Sequence, residues 1–187
     1  YLIKFSRSGQ PLHHGCDGGG WVGDEPGPNR ATFYAGESPD DPSRGRHYVA
    51  MLRHFRSGLS RIREEGKEPV TRGILWMQGE QDSKPETAAR EYAQSLKSLK
   101  VRLQEDLECG VVPLVFGQVL GHEPPAPRFR YRDEIRAAMA RAHMLSTAPE
   151  AIEGAWMVST DALPVMTVQR GTEQDLVHFT ASGQLAL

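Results

Sequence analysis

Three short stretches of this chain carry residues whose types and spacing suit acyl-transfer chemistry. Asp175 precedes His178 by three positions, just ahead of a helix predicted to begin near Thr180. On a tight turn such a pair converges. The carboxylate accepts a hydrogen bond from one ring nitrogen and fixes the tautomer, leaving the other nitrogen to take a proton from a nucleophile. The same spacing also arises by chance, and a histidine ahead of a helix is commonly only solvated, so the pair alone fixes no activity. Residues 73–82, GILWMQGEQD, set Gln78, Gly79 and Glu80 directly behind an apolar run. A glutamine amide at a strand's carboxyl end can donate to a developing oxyanion, and glycine admits a close backbone approach. The stretch reads equally as a polar strand-to-helix loop in which Glu80 and Asp82 cap the helix that follows. Residues 6–10, SRSGQ, sit after the first apolar run. A turn there offers backbone N–H groups to an anion, although an ordinary strand-exit turn accounts for it as well.

Other chemistry-bearing residues point nowhere firm. His13, His14, Cys16 and Asp17 are metal-ligating types, but they lack the paired spacing of a structural zinc site. Gly18, Gly19 and Gly20 lack the lysine and the strand-loop-helix context of a phosphate loop. Trp21 serves either as a sugar-stacking platform or as an anchor for its loop. Cys16 and Cys109 are too few for a disulfide framework, and whether they pair is open at this level.

The elements that must position these residues follow from periodicity. Apolar residues at 48, 51, 52, 55, 59 and 62 gather on one helical face, and those at 88, 92, 96, 99, 103 and 107 predict a second long helix stopped near Gly110. A third helix is expected over 131–145. Short apolar runs at 1–5, 70–77, 111–119 and 155–159 read as strands. This alternation predicts an α/β fold with a mostly parallel sheet covered by helices on both faces. Ligands then bind beyond the carboxyl ends of the strands, so the loops after Phe5, Met77, Val119 and Ser159 are expected to share one rim. Residues 15–46, rich in Gly, Pro, Asp and Ser, form an unusually long connection.

Composition narrows the function classes. At 187 residues the chain suits one domain, 39% hydrophobic and 25% charged residues suit a globular core, and the net charge is −2 with scattered basic residues. That pattern gives no footprint for a nucleic-acid partner. No apolar run approaches the ~20 residues that span a bilayer, so no membrane role is expected.

The three chemical stretches, taken in order, resemble the SGNH (GDSL-like) hydrolase superfamily, in particular its sialate O-acetylesterase and acetylxylan esterase-like branch of carbohydrate esterase family 6 type. The branch carries a LIKyArGGtsL block, matched by LIKFSRSGQPL at residues 2–12; a GxLWxQGExD block, matched at 73–82; and a DxxHf block with a following glycine, matched by Asp175, His178, Phe179 and Gly183. The resemblance implies a flavodoxin-like three-layer αβα sandwich spanning 1–187 as a single domain, and removal of acetyl groups from sugar hydroxyls by a Ser-His-Asp triad. His178 would be the base and Asp175 its orienter. Gln78 and the Gly9 N–H would form the oxyanion hole, while Gly79, Glu80 and Asp82 hold the loop. Neither a metal nor an organic cofactor is implied; the partner is an acetylated carbohydrate. Ser8 replaces the first glycine of the family's Gly-Gly pair.

The family nucleophile lies in a GQSN block ahead of these three, and residues 1–187 contain no such tetrapeptide. Nor do they contain a G-x-S-x-G elbow. The chain is therefore expected to be truncated at both ends and inactive alone, with its serine upstream. The competing class is a non-catalytic carbohydrate-binding protein on a degenerate esterase scaffold. Esterases of this kind are often exported, which favours a periplasmic or secreted location.

Overall fold

Alternating burial along three short strands organises the molecule. The computed structural model describes residues 1–16, 31–121, 129–165, 169–170, 173–174 and 178–185. In chain order the elements are α1 (Arg46–Glu64), β1 (Ile74–Trp76), α2 (Glu86–Arg90), α3 (Tyr92–Asp106), β2 (Leu114–Gly117), α4 (Arg132–Ala142), β3 (Ala155–Val158), the short pair β4 (Gln169–Arg170) and β5 (Glu173–Gln174), and α5 (Ala181–Leu185). Strands β1, β2 and β3 form one parallel sheet in that order, with Trp76 opposite Phe116 and Phe116 opposite Met157. β4 and β5 pair antiparallel. This is the α/β architecture that the alternation predicts.

Trp76, Leu114, Phe116 and Ala155 point to one face of the sheet, where they join Leu96, Leu99 and Leu103 of α3 and Ile135, Ala138 and Met139 of α4 in a single core. Burying each large apolar side chain contributes roughly 1.5–3 kcal/mol. The residues between them point the other way: Leu75, Val115 and Trp156 stand in register across the strands. Leu75 is 72% exposed and Trp156 41%, so the sheet is open on this face.

Two expectations about elements change. Residues 1–5 belong to no strand; they lie across α1, with Ile3 filling the space beside Gly58 and Phe5 packed against His54 and Phe33. Ile3 and Phe5 pack half-buried on the helix surface while Tyr1 and Leu2 stay exposed, so the run lies on a helix instead of pairing at the sheet edge. The helical spacing from 88 to 107 is carried by two helices, broken at Glu91, whose backbone sits at φ −88 and ψ 5. The apolar stripe survives because the Glu91 N–H still reaches the Thr87 carbonyl and its own carbonyl accepts from Ser95. Helix α4 ends at Ala142 because His143 turns to an extended conformation. Cys16, buried, and Cys109, half-buried, are not joined to each other by a disulfide. Asp17 and Trp21 lie outside the described residues.

Candidate active site

The loops at the carboxyl ends of the three parallel strands are tied into one rim. After β1, Gly79 packs so closely that an added Cβ would lie 2.7 Å from both Met139 Cε and Val119 Cγ1. That contact brings the first loop against the second. Beyond β3, the Thr160 hydroxyl donates to the Gln118 carbonyl at 2.7 Å. Arg136 of α4 spans the last gap, donating to the Val119 carbonyl and to Asp161 Oδ2, the latter at 2.9 Å.

Segment 8–13 is fastened to this rim from outside the sheet. The Gln78 amide donates to the Gln10 carbonyl at 3.0 Å and to Asp82 Oδ2, so both of its N–H groups are engaged. Asp82, with no solvent exposure, also accepts from the backbone N–H groups of Leu12 and His13 at 3.0 and 2.8 Å. Burial pushes the Asp82 carboxyl above the usual carboxylate range; the N–H of Leu12, the Gln78 amide and the N–H of His13 pull it back without reversing the direction. Tyr92, fully buried on α3, donates its hydroxyl to the Gln78 carbonyl at 2.8 Å and receives the Trp76 indole N–H at 3.3 Å. Its phenol is pushed well above the ordinary value, chiefly by burial and then by Asp82. Strand end, loop and helix therefore meet on one glutamine.

Gly9 occupies the exposed turn of that segment with φ +62, a conformation that glycine adopts without strain. Gln10 steadies the turn on two sides: its amide donates to the Ser8 carbonyl at 3.0 Å, and its Oε1 lies 2.9 Å from His47 Nε2. His13, buried, accepts the Gly15 N–H on Nδ1 and meets Glu91 through Nε2 at 2.8 Å. This contact coincides with the helix break at Glu91. Among the described residues no group of three His, Cys, Asp or Glu side chains is arranged to hold a metal.

His178 is exposed and sits where the chain returns to the rim. Its neighbour Phe179 bridges Val165 antiparallel, and the Thr180 N–H donates to the Pro164 carbonyl at 3.0 Å. Thr180 then caps α5 by accepting the Gly183 N–H on its hydroxyl at 3.1 Å, which fixes the helix start where the sequence places it. The Glu80 carboxyl is raised by burial and secondarily by Asp82, whereas His178 acts on it in the opposite direction. The imidazole is thus within electrostatic range of the carboxyl two residues beyond Gln78. Asp175 lies outside the described residues.

Of the residues singled out from sequence, Gln78, Gly79, Glu80, Asp82 and His178 gather at this rim, and Gly9 is tied to it through Gln10. Tyr92, Gln10, His13 and His47 complete the network and were not singled out for the site. Tyr92 falls on the apolar stripe of its helix, where periodicity counts it as core. The only available sign was its hydroxyl, which needs a partner once buried.

Comparison with known proteins bears on the family and the fold. The family model described as carbohydrate esterase, sialic acid-specific acetylesterase, matches residues 42–187. No curated protein matches the chain. Among solved structures, the X-ray structure of a protein from Arabidopsis thaliana aligns with a TM-score of 0.54 at 21% identity, covering 76% of this chain and 48% of the plant protein. At that identity the likeness concerns the fold, and the chain spans about half the length of its neighbour. No described helix is long and apolar enough to cross a membrane. With the family model covering most of its length, including the rim and His178, the chain belongs to the carbohydrate esterase family of sialic acid-specific acetylesterases.

Proposed function

We propose that the intact protein removes acetyl groups from sugar hydroxyls by a Ser-His-Asp mechanism, the serine being supplied from outside residues 1–187. His178 takes the seryl proton as the Oγ attacks the acetyl carbonyl carbon, and Asp175 holds the imidazole in the tautomer that can accept it. The oxyanion is held on the Gly9 side of the rim. Gln78 keeps that turn in place through the Gln10 carbonyl and donates directly once it releases one of its two acceptors. Collapse of the tetrahedral intermediate expels the sugar hydroxyl, which takes the proton from His178; water then hydrolyses the acetyl-serine and acetate leaves. Gly79, Glu80 and Asp82 hold the loop rather than touch the acetyl group. The substrate is an acetylated carbohydrate, and an O-acetylated sialic acid, the sugar named by the family description, is the first to assay.

The observation that carries this reading is the match of the sialic acid-specific acetylesterase family over residues 42–187, a span that contains the Gln78 strand end and His178. An aryl acetate and an acetylated sugar assayed with the full-length protein test it. His178→Ala and Asp175→Asn are each expected to lower kcat on the order of 10³-fold or more, with folding checked by circular dichroism. Unchanged turnover in the folded His178→Ala protein overturns the assignment of the base.

A further inference from the structure

A closed ring of bonds runs behind the Gly9 turn. Asp82 Oδ1 accepts the His13 backbone N–H at 2.8 Å, and Asp82 Oδ2 accepts from the Gln78 amide. The Gln78 carbonyl accepts the Tyr92 hydroxyl at 2.8 Å, and Tyr92 follows Glu91, whose Oε2 lies 2.8 Å from His13 Nε2. That contact returns the path to its start. Its direction is fixed by the opposite ring nitrogen: Nδ1 accepts the Gly15 N–H at 2.9 Å, so the imidazole proton sits on Nε2 and donates to the Glu91 carboxylate. Packing holds the same orientation, since His13 is 4% exposed and the His14 ring lies 4.3 Å from its own.

Glu91 stands where α2 stops and α3 starts, and the break leaves neither of its backbone groups unpaired. Two consecutive side chains there reach two parts of the rim, Glu91 the segment 8–13 and Tyr92 the strand end. The ties at the Gln10 carbonyl and at the N–H groups of Leu12 and His13 all end on one loop, at Gln78 and Asp82. Glu91 adds an anchor on a helix. We propose that His13 and Glu91 are positioning residues for the esterase: the pair closes the ring and so sets the Gly9 turn against the Gln78 amide, the two groups that hold the oxyanion. Neither touches substrate. The inference rests on the esterase reading and adds to it two residues that lie outside all three chemical stretches of the sequence.

The full-length protein is assayed on an aryl acetate and an acetylated sugar, and backbone amide exchange is followed over residues 10–15. His13→Ala and Glu91→Ala are each expected to lower kcat roughly five- to thirtyfold with KM within about twofold, because a displaced oxyanion donor acts on the transition state rather than on binding. The double variant should be no worse than the weaker single variant, since either change opens the same ring. His13→Gln and Glu91→Gln, which keep a donor on one side and an acceptor on the other, should recover most of the loss. His13→Asn keeps an acceptor for the Gly15 N–H but is too short to reach Glu91, so it should behave as His13→Ala. Parental kcat in the folded alanine variants, or a recovery by His13→Asn as full as that by His13→Gln, overturns the proposal. If His13→Ala does not fold, Glu91→Ala carries the test, its side chain being half-exposed. Amide exchange separates the two readings. A parent protein without turnover removes the esterase; faster exchange over residues 10–15 in Glu91→Ala then leaves the clamp standing, and parental exchange removes the clamp as well.

Discussion

Asp82 shows how one side chain sets the geometry of a site it need not touch chemically. Its carboxylate collects two backbone N–H groups from segment 8–13 and one from Gln78, in a position closed to solvent. Removing it leaves buried donors unpaired, so Asp82→Ala is expected to cost about 3–5 kcal/mol. Asp82→Asn, which sets an amide N–H against other donors, should cost about 2–3 kcal/mol. Urea unfolding measures both, and a loss below 1 kcal/mol would show that segment 8–13 is held by something else. Glu80 gives a pH-dependent counterpart. Its carboxyl is raised in the folded state, mainly by burial, so the native protein binds the proton more tightly than the unfolded chain. That contribution is fully present below the unfolded carboxyl value, about 4.3, and is lost as pH rises through the higher folded value. Glu80→Gln should therefore flatten the fall in stability with rising pH and leave the protein relatively more stable at pH 8 than at pH 4. Denaturation across that range checks the sign, and an unaltered slope refutes it. Both carboxylates were legible in the 73–82 block as residue types, but their partners were not. The N–H groups of Leu12 and His13 lie 70 and 69 positions away in sequence, and no local pattern announces a backbone donor.

Elements joined by close contact explain why the middle block needs its glycine. Gly79 turns the chain out of β1 at φ +149, between Met139 of α4 and Val119 beyond β2. A Cβ there would meet both side chains inside van der Waals distance in a backbone region that L-residues rarely adopt. Gly79→Ala is expected to cost roughly 2–4 kcal/mol and to loosen Gln78 with it. Thermal unfolding gives the first, and a fall in esterase kcat larger than any change in KM gives the second. If Gly79→Ala melts with the parent protein, the contact is not the constraint inferred here. Periodicity located α1, β2, β3 and α4 to within a few residues because their apolar positions face one core. It misread residues 1–5, where a short apolar run has the same signature whether it pairs with a strand or lies on a helix. It also ran α2 and α3 together, since one irregular residue at Glu91 leaves the apolar spacing intact; the interaction that coincides with the break, with His13, is again remote in sequence.

For the molecule as a whole, the two faces of the parallel sheet differ. Parallel sheets are ordinarily covered on both sides, because their crossovers place helices there. Here the described helices that join the core pack on the face of Trp76, Leu114, Phe116 and Ala155, while Leu75, Val115 and Trp156 form a row on the other. The three-layer arrangement implied by family resemblance places a second layer over that row. The difference is measurable as a contrast between substitutions a single residue apart in register. Leu114 has no exposure, so Leu114→Ala should lose about 2–5 kcal/mol through lost transfer energy and a cavity. Leu75, at 72% exposure, has little burial to lose, and Leu75→Ala in residues 1–187 should stay within about 0.5 kcal/mol of the parent. Repeating the pair in the full-length protein then decides whether the open face is covered there. A Leu75→Ala cost that climbs to the level of Leu114→Ala requires a second layer seated on Leu75 and Trp156, while a cost that stays small leaves this face to solvent in the longer protein as well.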